Sequence, residues 1–396
     1  MSPSSHSRLL VPILCLLTAF GIFSTALYLP SLPAIGKALG ASQKSVQLTL
    51  TFFFLGSTVG SLLLGPLADR LGRLVVIKGG LLLFIVASLG CAQAESIFVL
   101  HIGRFLQGIA ASAGPLVARA VSRDLYEGVQ LARLSATMMM AASITPAIAP
   151  TLGGIIQSHF GWEENFYFLM IVGVFTACMV WPWLPETKGY HKEASVSSSA
   201  LKNYLLLFKG SPYGLFCIVM GVQLAAVFCY VSMSPYLFIS LYGWPPEQFG
   251  YAGAVSAFGN MIGFAFARRM AHRLHFHHGI LIGGTLSFLV SLIFVGACLL
   301  FPIGSFWLLF YIICFYSVAA MAIVNSTAAA MNLFPQMAGT SSAMVGAIQI
   351  GSGVIGSALA SFLPSTPLFL GIAIGGLTLV SCVTGIFIER KRWLGR

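Results

Sequence analysis

Gly65-Pro66-Leu67-Ala68-Asp69-Arg70-Leu71-Gly72-Arg73 places one acid, two arginines and two glycines within nine residues. Long apolar runs precede this stretch and follow it from Leu74. A charged segment between two apolar runs is typical of a tight turn on one side of a membrane, because charged side chains avoid the hydrocarbon core. The glycines would let the turn close. The stretch therefore predicts a fold built from helices that cross a bilayer.

The composition supports a membrane protein and excludes several other classes. The 396 residues are 58% hydrophobic and 8% charged, whereas soluble domains carry about 25% charged residues. The formal net charge is +11, but the basic residues lie between apolar runs and form no patch with aromatic residues, so no nucleic-acid partner is predicted. The eight cysteines lie in or beside apolar runs without zinc spacing. No metal or other cofactor is predicted from them.

Twelve apolar runs are long enough to span a bilayer, which takes about 20 residues. They lie near 9–29, 46–66, 74–94, 97–118, 132–157, 166–184, 213–239, 248–267, 279–301, 304–330, 340–362 and 367–388. Hydrophobicity is continuous within each run and does not alternate, so helices are favoured over strands. No small-residue cleavage site follows the first run, which is therefore interpreted as a retained helix.

A polar segment and an internal repeat divide the chain into two halves. We predict an N-terminal six-helix half at 1–185, a cytoplasmic linker at 186–211 and a C-terminal six-helix half at 212–396. Aligning 40–71 with 243–274 without gaps superposes the Gly-x-x-x-Gly pair of the second run on that of the eighth. Such pairs let helices approach closely. The predicted fold class is an all-α membrane protein with twelve transmembrane helices in two pseudo-repeated halves, the plan of secondary transporters.

The basic residues predict the orientation. With the N-terminus inside, 18 of the 21 Lys and Arg residues lie in the inner loops and at the inner ends of runs. The outer loops hold Lys37 and Lys44, and Arg104 alone lies within a run. Because positive residues concentrate on the cytoplasmic side, both termini are predicted to be cytoplasmic.

The stretch from Gly65 to Arg73 resembles the signature loop of the major facilitator superfamily, Gly-x-x-x-Asp-Arg-x-Gly-Arg-Arg, with Leu74 in place of the last basic residue. In that family the loop latches the two halves together on the cytoplasmic side. The resemblance implies that Asp69 meets the helix N-terminus at 340–342, where an anion is favoured. It implies gating roles for Gly65, Asp69, Arg70, Gly72 and Arg73.

Arg104 is the second notable feature, because an arginine inside a membrane span needs a partner or water. Gln107 shares its helix face. Arg104-Phe105-Leu106-Gln107-Gly108 resembles the superfamily motif Arg-x-x-Gln-Gly, in which the arginine is implicated in binding or proton coupling. A purely structural arginine is the alternative. His101, one turn earlier, is interpreted as an interfacial hydrogen-bonding residue, with a role in proton coupling as the alternative. Other residues expected to bind substrate are the polar or aromatic ones within runs: Tyr28, Gln223, Tyr230, Asn260, Asn325 and Gln349.

The fifth run contains Ala149-Pro150-Thr151-Leu152-Gly153-Gly154, which resembles the exporter motif Gly-Pro-x-x-Gly-Gly. A proline followed by small residues creates a bend and a close helix contact. The resemblance implies gating roles for Pro150, Gly153 and Gly154 and favours export. A packing kink without a role in transport is the alternative.

The segment 119–126, Arg-Ala-Val-Ser-Arg-Asp-Leu-Tyr, closely resembles the Bcr/CflA (bicyclomycin-resistance) branch of the drug:proton antiporters. Tyr28-Leu29-Pro30-Ser31-Leu32-Pro33 closes the first run as in that branch. The branch usually has an aspartate where this chain has Ala26. All ten acids lie in loops or at the ends of runs, so the runs supply no buried carboxylate as a proton relay.

Four histidines, His272, His275, His277 and His278, resemble a metal site but lie in a short basic loop. Solvated residues of that loop are the favoured interpretation, and no metal site is predicted.

The predicted function is export of a drug-like or small-metabolite solute across the inner membrane of a bacterium by alternating access. Proton-coupled antiport is expected from the resemblance. The expected partners are the solute, protons and the lipid bilayer, and the protein is expected to be a monomer and not an enzyme. Uptake or facilitated diffusion of an anionic metabolite or a metal-chelating small molecule is the alternative, because Arg104 without a buried acid is compatible with it. A transport-inactive sensor is a second alternative, which would need an added soluble domain or long tail.

Overall fold

The computed structural model describes residues 7–187, 206–208, 212–271, 275–334 and 337–394. In these ranges the chain is helical, and no strand is found there. Two further turns are 3-10 helices, Leu29–Ser31 and Pro246–Phe249. The α-helices are, in chain order, α1 Ser7–Ala26, α2 Leu32–Ala38, α3 Gln43–Leu71, α4 Arg73–Ala92, α5 Ile97–Leu125, α6 Gly128–His159, α7 Glu163–Trp183, α8 Tyr213–Pro235, α9 Gly250–Ala271, α10 Phe276–Leu300, α11 Ser305–Leu333, α12 Ala338–Ser361 and α13 Pro367–Leu394.

Twelve helical segments of the described chain are long and apolar enough to cross a membrane. The first of them, Leu9–Ala38, combines α1 and α2, and each of α3 to α13 supplies one more. In the seventh, the six residues Tyr236–Leu241 continue α8 as a π-helix. The predicted fold class, an all-α membrane protein with twelve spans, is confirmed.

The prediction of a tight turn from Gly65 to Arg73 was wrong in extent. Residues 65–71 form the last two turns of α3, and only Gly72 separates α3 from α4. The helix passes through Pro66 because neighbouring helices and local adjustments tolerate the lost hydrogen bond in a membrane helix. The backbone N–H of Gly72 still donates to the Ala68 carbonyl, at 3.1 Å. The charged residues therefore lie on a rigid helix end.

The chain forms two compact units, one of Met1–Val196 with Pro245–Gly253 and one of Ser197–Trp244 with Ala254–Arg396. The assignment of Pro245–Gly253 differs from the sequence division, which placed it in the C-terminal half. This segment packs against α6, where the Gly154 backbone lies so close to Pro246 that a Cβ at Gly154 would overlap its carbonyl group. The predicted linker lies outside the described residues apart from 186–187 and 206–208.

The glycine pairs of the sequence repeat make equivalent contacts inside their own units. In the first unit, a Cβ at Gly56 would overlap the carbonyl of Phe105 on α5. In the second unit, a Cβ at Gly259, which the alignment superposes on Gly56, would lie 3.0 Å from the Ile313 carbonyl oxygen on α11, and a Cβ at Gly263 would overlap the carbonyl of Ser317. Because only a hydrogen fits at these positions, α3 packs backbone to backbone on α5, and α9 packs in the same way on α11.

Candidate functional site

Arg104 lies on α5 with a side chain that is 0% exposed. Its guanidinium carbon is 4.1 Å from the ring centroid of Tyr28 and 4.3 Å from that of Phe53. A third ring, that of Phe166, lies 6.0 Å away. Aromatic faces attract a cation, and the attraction strengthens where water is excluded. The arginine is thus held in an aromatic pocket formed by three segments of the first unit.

Polar contacts satisfy one side of the guanidinium. Its Nη1 donates to Oε1 of Gln107 and to the carbonyl of Ser24, the latter at 3.5 Å. Gln107 Nε2 in turn donates to Oγ of Ser88 at 2.8 Å. This chain of bonds fixes the amide so that its oxygen faces the cation. The sequence expectation that Arg104 and Gln107 share a face is met by a direct hydrogen bond.

The other side of the guanidinium carries two donors that no protein acceptor meets at hydrogen-bond distance. Arg104 Nε and Nη2 are buried and have no hydrogen-bond partner. In the part of the chain that the structure describes, no Asp or Glu forms an ion pair with Arg104. A buried charge without a counter-charge is strongly disfavoured unless something neutralises it or supplies hydrogen bonds. An acceptor or anionic group beside these two donors would meet that requirement, and a binding role for Arg104 stays a prediction.

Small residues bring the neighbouring helices onto α5 and bury Arg104. A Cβ at Gly103 would lie 2.6 Å from Sγ of Cys91 on α4. On the opposite side, Gly108 packs against the backbone of Phe53. The Tyr28 hydroxyl, 3.1 Å from Oγ1 of Thr49, anchors the ring that covers the guanidinium. The glycines of α5 thus place a long side chain among backbones where bulkier neighbours would exclude it.

His101 points away from this pocket. Its Nε2 lies 2.8 Å from the carbonyl oxygen of Ser45, and its ring stacks on Phe52 at a centroid distance of 4.7 Å. Both contacts belong to the N-terminal end of α3. The arrangement agrees with the interfacial interpretation of this histidine.

The five remaining predicted binding residues lie in the second unit, two of them on α8 and one each on α9, α11 and α12. Gln223 Nε2 donates to Oγ of Ser381 at 3.0 Å, while its Oε1 is buried without a hydrogen-bond partner. Tyr230 makes an edge contact with the ring of Tyr316, at 5.7 Å between centroids. These two side chains are buried, at 0% and 3% exposure. A binding role for these two residues stays a prediction.

Asn325, Gln349 and Asn260 are engaged differently. Asn325 Nδ2 donates to the Met321 carbonyl of its own helix at 2.8 Å, which is a helix-packing arrangement. Gln349 Nε2 lies 3.8 Å from Sδ of Met220, a weak acceptor. Asn260 is half-buried on α9. A binding role for these three stays a prediction.

A charged network surrounds the end of α3. Arg73 Nη1 pairs with Oδ1 of Asp69 at 3.0 Å and donates to the Ala68 carbonyl at 2.8 Å. Its Nε donates to Oδ2 of Asp124 at 3.2 Å. The same Asp124 oxygen accepts from Oγ1 of Thr187 at 2.6 Å. Arg73 therefore links three parts of the first unit: the end of α3, the end of α5 and the segment after α7.

Glu186 caps α4. Its two carboxylate oxygens accept from the backbone N–H groups of Arg73, at 3.0 Å, and of Leu74, at 2.9 Å. A carboxylate at a helix N-terminus satisfies unpaired donors and interacts favourably with the helix dipole. Gly72 makes the cap possible, because it has φ 108° and a Cβ there would lie 2.6 Å from Oε2 of Glu186.

The other predicted gating residues differ in how closely they are packed. Gly65 lies within α3, and a Cβ there would meet the nearest side chain at an ordinary 3.9 Å, so the expectation that this glycine closes a turn was wrong. Arg70 is exposed at the end of α3. In α6, a Cβ at Gly153 would overlap the carbonyl of Leu27. Pro150 lies in the same helix, next to Gly253. The contact of Asp69 with the start of α12 stays a prediction.

Sequence reasoning missed Asp124, Glu186 and Thr187 as parts of the network. Asp124 stood within a quoted motif, but its partner Arg73 is 51 residues away. Glu186 and Thr187 follow α7 directly, and no local pattern pairs them with α4. The position of these acids at or just beyond the end of a span, where a carboxylate can pair with a neighbouring helix end, is a signal that could have been weighed.

The chain is similar to known transporters over most of its length. A family model described as Major Facilitator Superfamily matches residues 14–361. A bicyclomycin resistance protein homolog of Haemophilus influenzae is 28% identical over 392 residues, covering 97% of this chain and 96% of the relative. A chloramphenicol resistance protein of Pseudomonas aeruginosa is 29% identical, with 91% and 85% covered. Among solved structures, a D-xylose-proton symporter matches with a TM-score of 0.73 at 14% identity, covering 95% of this chain and 96% of the symporter.

Proposed function

Because this chain belongs to the major facilitator superfamily, we propose that it exports a drug-like or small-metabolite solute and that Arg104 binds the solute's hydrogen-bond acceptor or negative group. It is a transporter and not an enzyme. Full-length relatives named for resistance to bicyclomycin and chloramphenicol support export of drug-like molecules. Multi-pass insertion in a bacterial inner membrane is consistent with twelve apolar spans and bacterial relatives.

One observation carries the proposal: a fully buried arginine has two guanidinium nitrogens without partners and no carboxylate pair among the described residues. A structural arginine would use its donors within the protein, as Nη1 does with Gln107. The free pair Nε and Nη2 matches a planar acceptor group, which guanidinium can bind through two parallel hydrogen bonds. The aromatic rings beside it suit the apolar body of a drug-like solute.

Proton antiport is the proposed driving reaction, and its relay is not a carboxylate at the position of Ala26. Alternating access of the two halves, with Asp69, Arg70, Gly72 and Arg73 gating the inner side, completes the proposed mechanism. Both termini are proposed to lie in the cytoplasm on the strength of the basic-residue count. A monomer is proposed because the resemblance requires no second copy.

Uptake or facilitated diffusion of an anionic metabolite, or of a metal-chelating one, is the second candidate. The same observation favours it, because a buried cation without an acid nearby attracts an anion. The two candidates differ in their dependence on a pH gradient.

Solute transport by the purified full chain, reconstituted into proteoliposomes, distinguishes the two candidates. Radiolabelled chloramphenicol and radiolabelled citrate, an anionic metal chelator, serve as probes, each with and without an imposed pH gradient. Export predicts chloramphenicol accumulation driven by the gradient, and Arg104→Ala abolishes it. Arg119→Ala is the matched control, because Arg119 is an exposed arginine of the same helix that donates to the Pro115 carbonyl at 3.1 Å. Citrate movement indifferent to the gradient would support the second candidate instead.

A further inference from the structure

Three side chains that commonly ligate metals converge at one end of the second unit. His277 and His278 lie in the first turn of α10, and Glu389 lies near the end of α13. One ligand atom from each of the three lies within 4.8 Å of the other two. Nε2 of His277 is 3.9 Å from Oε2 of Glu389, and Nε2 of His278 is 3.9 Å from Oε1. Two helices that are distant in the sequence therefore contribute to one cluster.

A third histidine stands beside this cluster. The ring of His275 lies 5.4 Å from that of His277 and 6.4 Å from that of His278, while the latter two rings are 4.3 Å apart. His275 is exposed, and the other two histidines are half-buried. The sequence favoured solvated loop residues for all four histidines of this region. His277 and His278 differ from that expectation, because they are half-buried and belong to α10. His272 lies outside the described residues.

The spacing fits coordination better than direct pairing. A hydrogen bond between these groups would measure about 2.7–3.2 Å, which is shorter than the 3.9 Å found from each imidazole to the carboxylate. Ligand atoms around a tetrahedral ion with bonds of about 2.0–2.2 Å lie about 3.3–3.6 Å apart. Small side-chain rotations close that difference. Oε2 of Glu389, which faces His277, is buried without a hydrogen-bond partner, so the cluster holds a polar atom that a ligand would satisfy.

We propose that His277, His278 and Glu389 bind a divalent transition-metal ion, with His275 or water as the fourth ligand. Imidazole nitrogens suit Zn²⁺, Cu²⁺ and Ni²⁺, and two histidines with one glutamate are a recurrent zinc ligand set. Mg²⁺ and Ca²⁺, which require mostly oxygen ligands, do not match. The bound ion bridges α10 and α13 within the second unit. The site shares no residue with the Arg104 pocket, and it stands whether or not the proposed transport function does.

Binding is measured on the full-length protein, purified in detergent without a histidine tag and stripped with EDTA. Isothermal titration with Zn²⁺ is expected to show one saturable site per chain. His278→Ala and Glu389→Gln are each expected to weaken it at least tenfold. His159→Ala is the matched control, because His159 is an exposed histidine of the first unit whose Nδ1 lies 3.0 Å from the Ile155 carbonyl oxygen. The control variant is expected to bind Zn²⁺ as the wild type does.

A second measurement separates lost ligands from lost folding. Thermal unfolding in EDTA is expected to be the same for wild type and Glu389→Gln, since the substitution keeps the size of the side chain. Added Zn²⁺ should raise the unfolding temperature of the wild type and leave that of the variant unchanged, because only a ligand that binds the folded state stabilises it. The absence of saturable Zn²⁺ binding by the wild type, or equal affinity in wild type and both variants, would overturn the proposal.

Discussion

The junction between α3 and α4 offers a quantitative test of the inner charged network, through the substitution Gly72→Ala. Gly72 has φ 108° and ψ 155°, a region that is essentially restricted to glycine, so alanine there costs about 1–3 kcal/mol. The added Cβ would also lie 2.6 Å from Oε2 of Glu186. The flexible carboxylate would move away and release the two backbone N–H groups that it caps. Loss of a helix cap costs about 0.5–2 kcal/mol. Together these effects predict a destabilisation of about 1.5–5 kcal/mol.

A double-mutant cycle tests whether the two effects share one cause. Glu186→Ala alone should lower the free energy of unfolding by about 0.5–2 kcal/mol, because it removes the cap. If the Cβ at position 72 already displaces the carboxylate, removing Glu186 as well adds nothing. The double variant should therefore be no less stable than Gly72→Ala, giving a coupling energy of about 0.5–2 kcal/mol.

The assay is equilibrium unfolding of the purified protein in mixed detergent micelles. Gly79→Ala is the matched control, since it adds a methyl group on α4 with no atom within 4 Å of the new Cβ. The control should be neutral or slightly stabilising, because alanine favours the helix over glycine. Additive losses in the double variant, or a Gly72→Ala variant as stable as Gly79→Ala, would refute the reasoning about this junction.

Substitutions at three further residues, with one control, probe the first unit. Gly153→Ala should reduce transport in proteoliposomes at least tenfold, because the added Cβ would overlap the carbonyl of Leu27, just after α1. Gly90→Ala is the control and should transport normally, because the space around its Cβ is open. Tyr28→Phe should keep most chloramphenicol binding because the ring over Arg104 remains, while Tyr28→Leu should lose about 0.5–2 kcal/mol of cation–π interaction, read out as weaker binding. Asp124→Asn should lower the unfolding temperature, since it leaves the half-buried cation of the inner network less well paired; an unchanged temperature would contradict that role.

The membrane-spanning fold was predictable because the bilayer imposes a length that apolar runs must meet. All twelve spans were located from hydropathy, and their type was correct. The ends of the helices were not predictable from charge. Helix α3 continues through Asp69 and Arg70, and α5 continues to Leu125 rather than stopping near 118. A helix satisfies its own backbone hydrogen bonds, so it can extend beyond the apolar core without a change in residue pattern.

The candidate site was predictable only as far as local spacing reaches. Arg104 and Gln107 are three residues apart on one helix, so their contact followed from helical periodicity. The rings of Tyr28 and Phe53 and the hydroxyl of Ser88 come from other helices, and their approach depends on which small residues pack together. For the same reason, the sequence did not predict that Glu186 caps α4, since a capping group can come from any part of the chain.

The most direct test of the proposed role of Arg104 is the affinity of the purified protein for radiolabelled chloramphenicol in wild type and in Arg104→Lys. Lysine keeps the charge but loses the planar pair of donors, Nε and Nη2, that would bind the acceptor group. Loss of one charge-assisted hydrogen bond, worth about 1.5–3 kcal/mol, corresponds to an affinity about 10–150-fold lower. We expect a drop of that size, and the unfolding temperature of both proteins is measured beside it to show that the variant is folded. Equal affinity in Arg104→Lys and wild type would contradict the assignment of Arg104 to the solute.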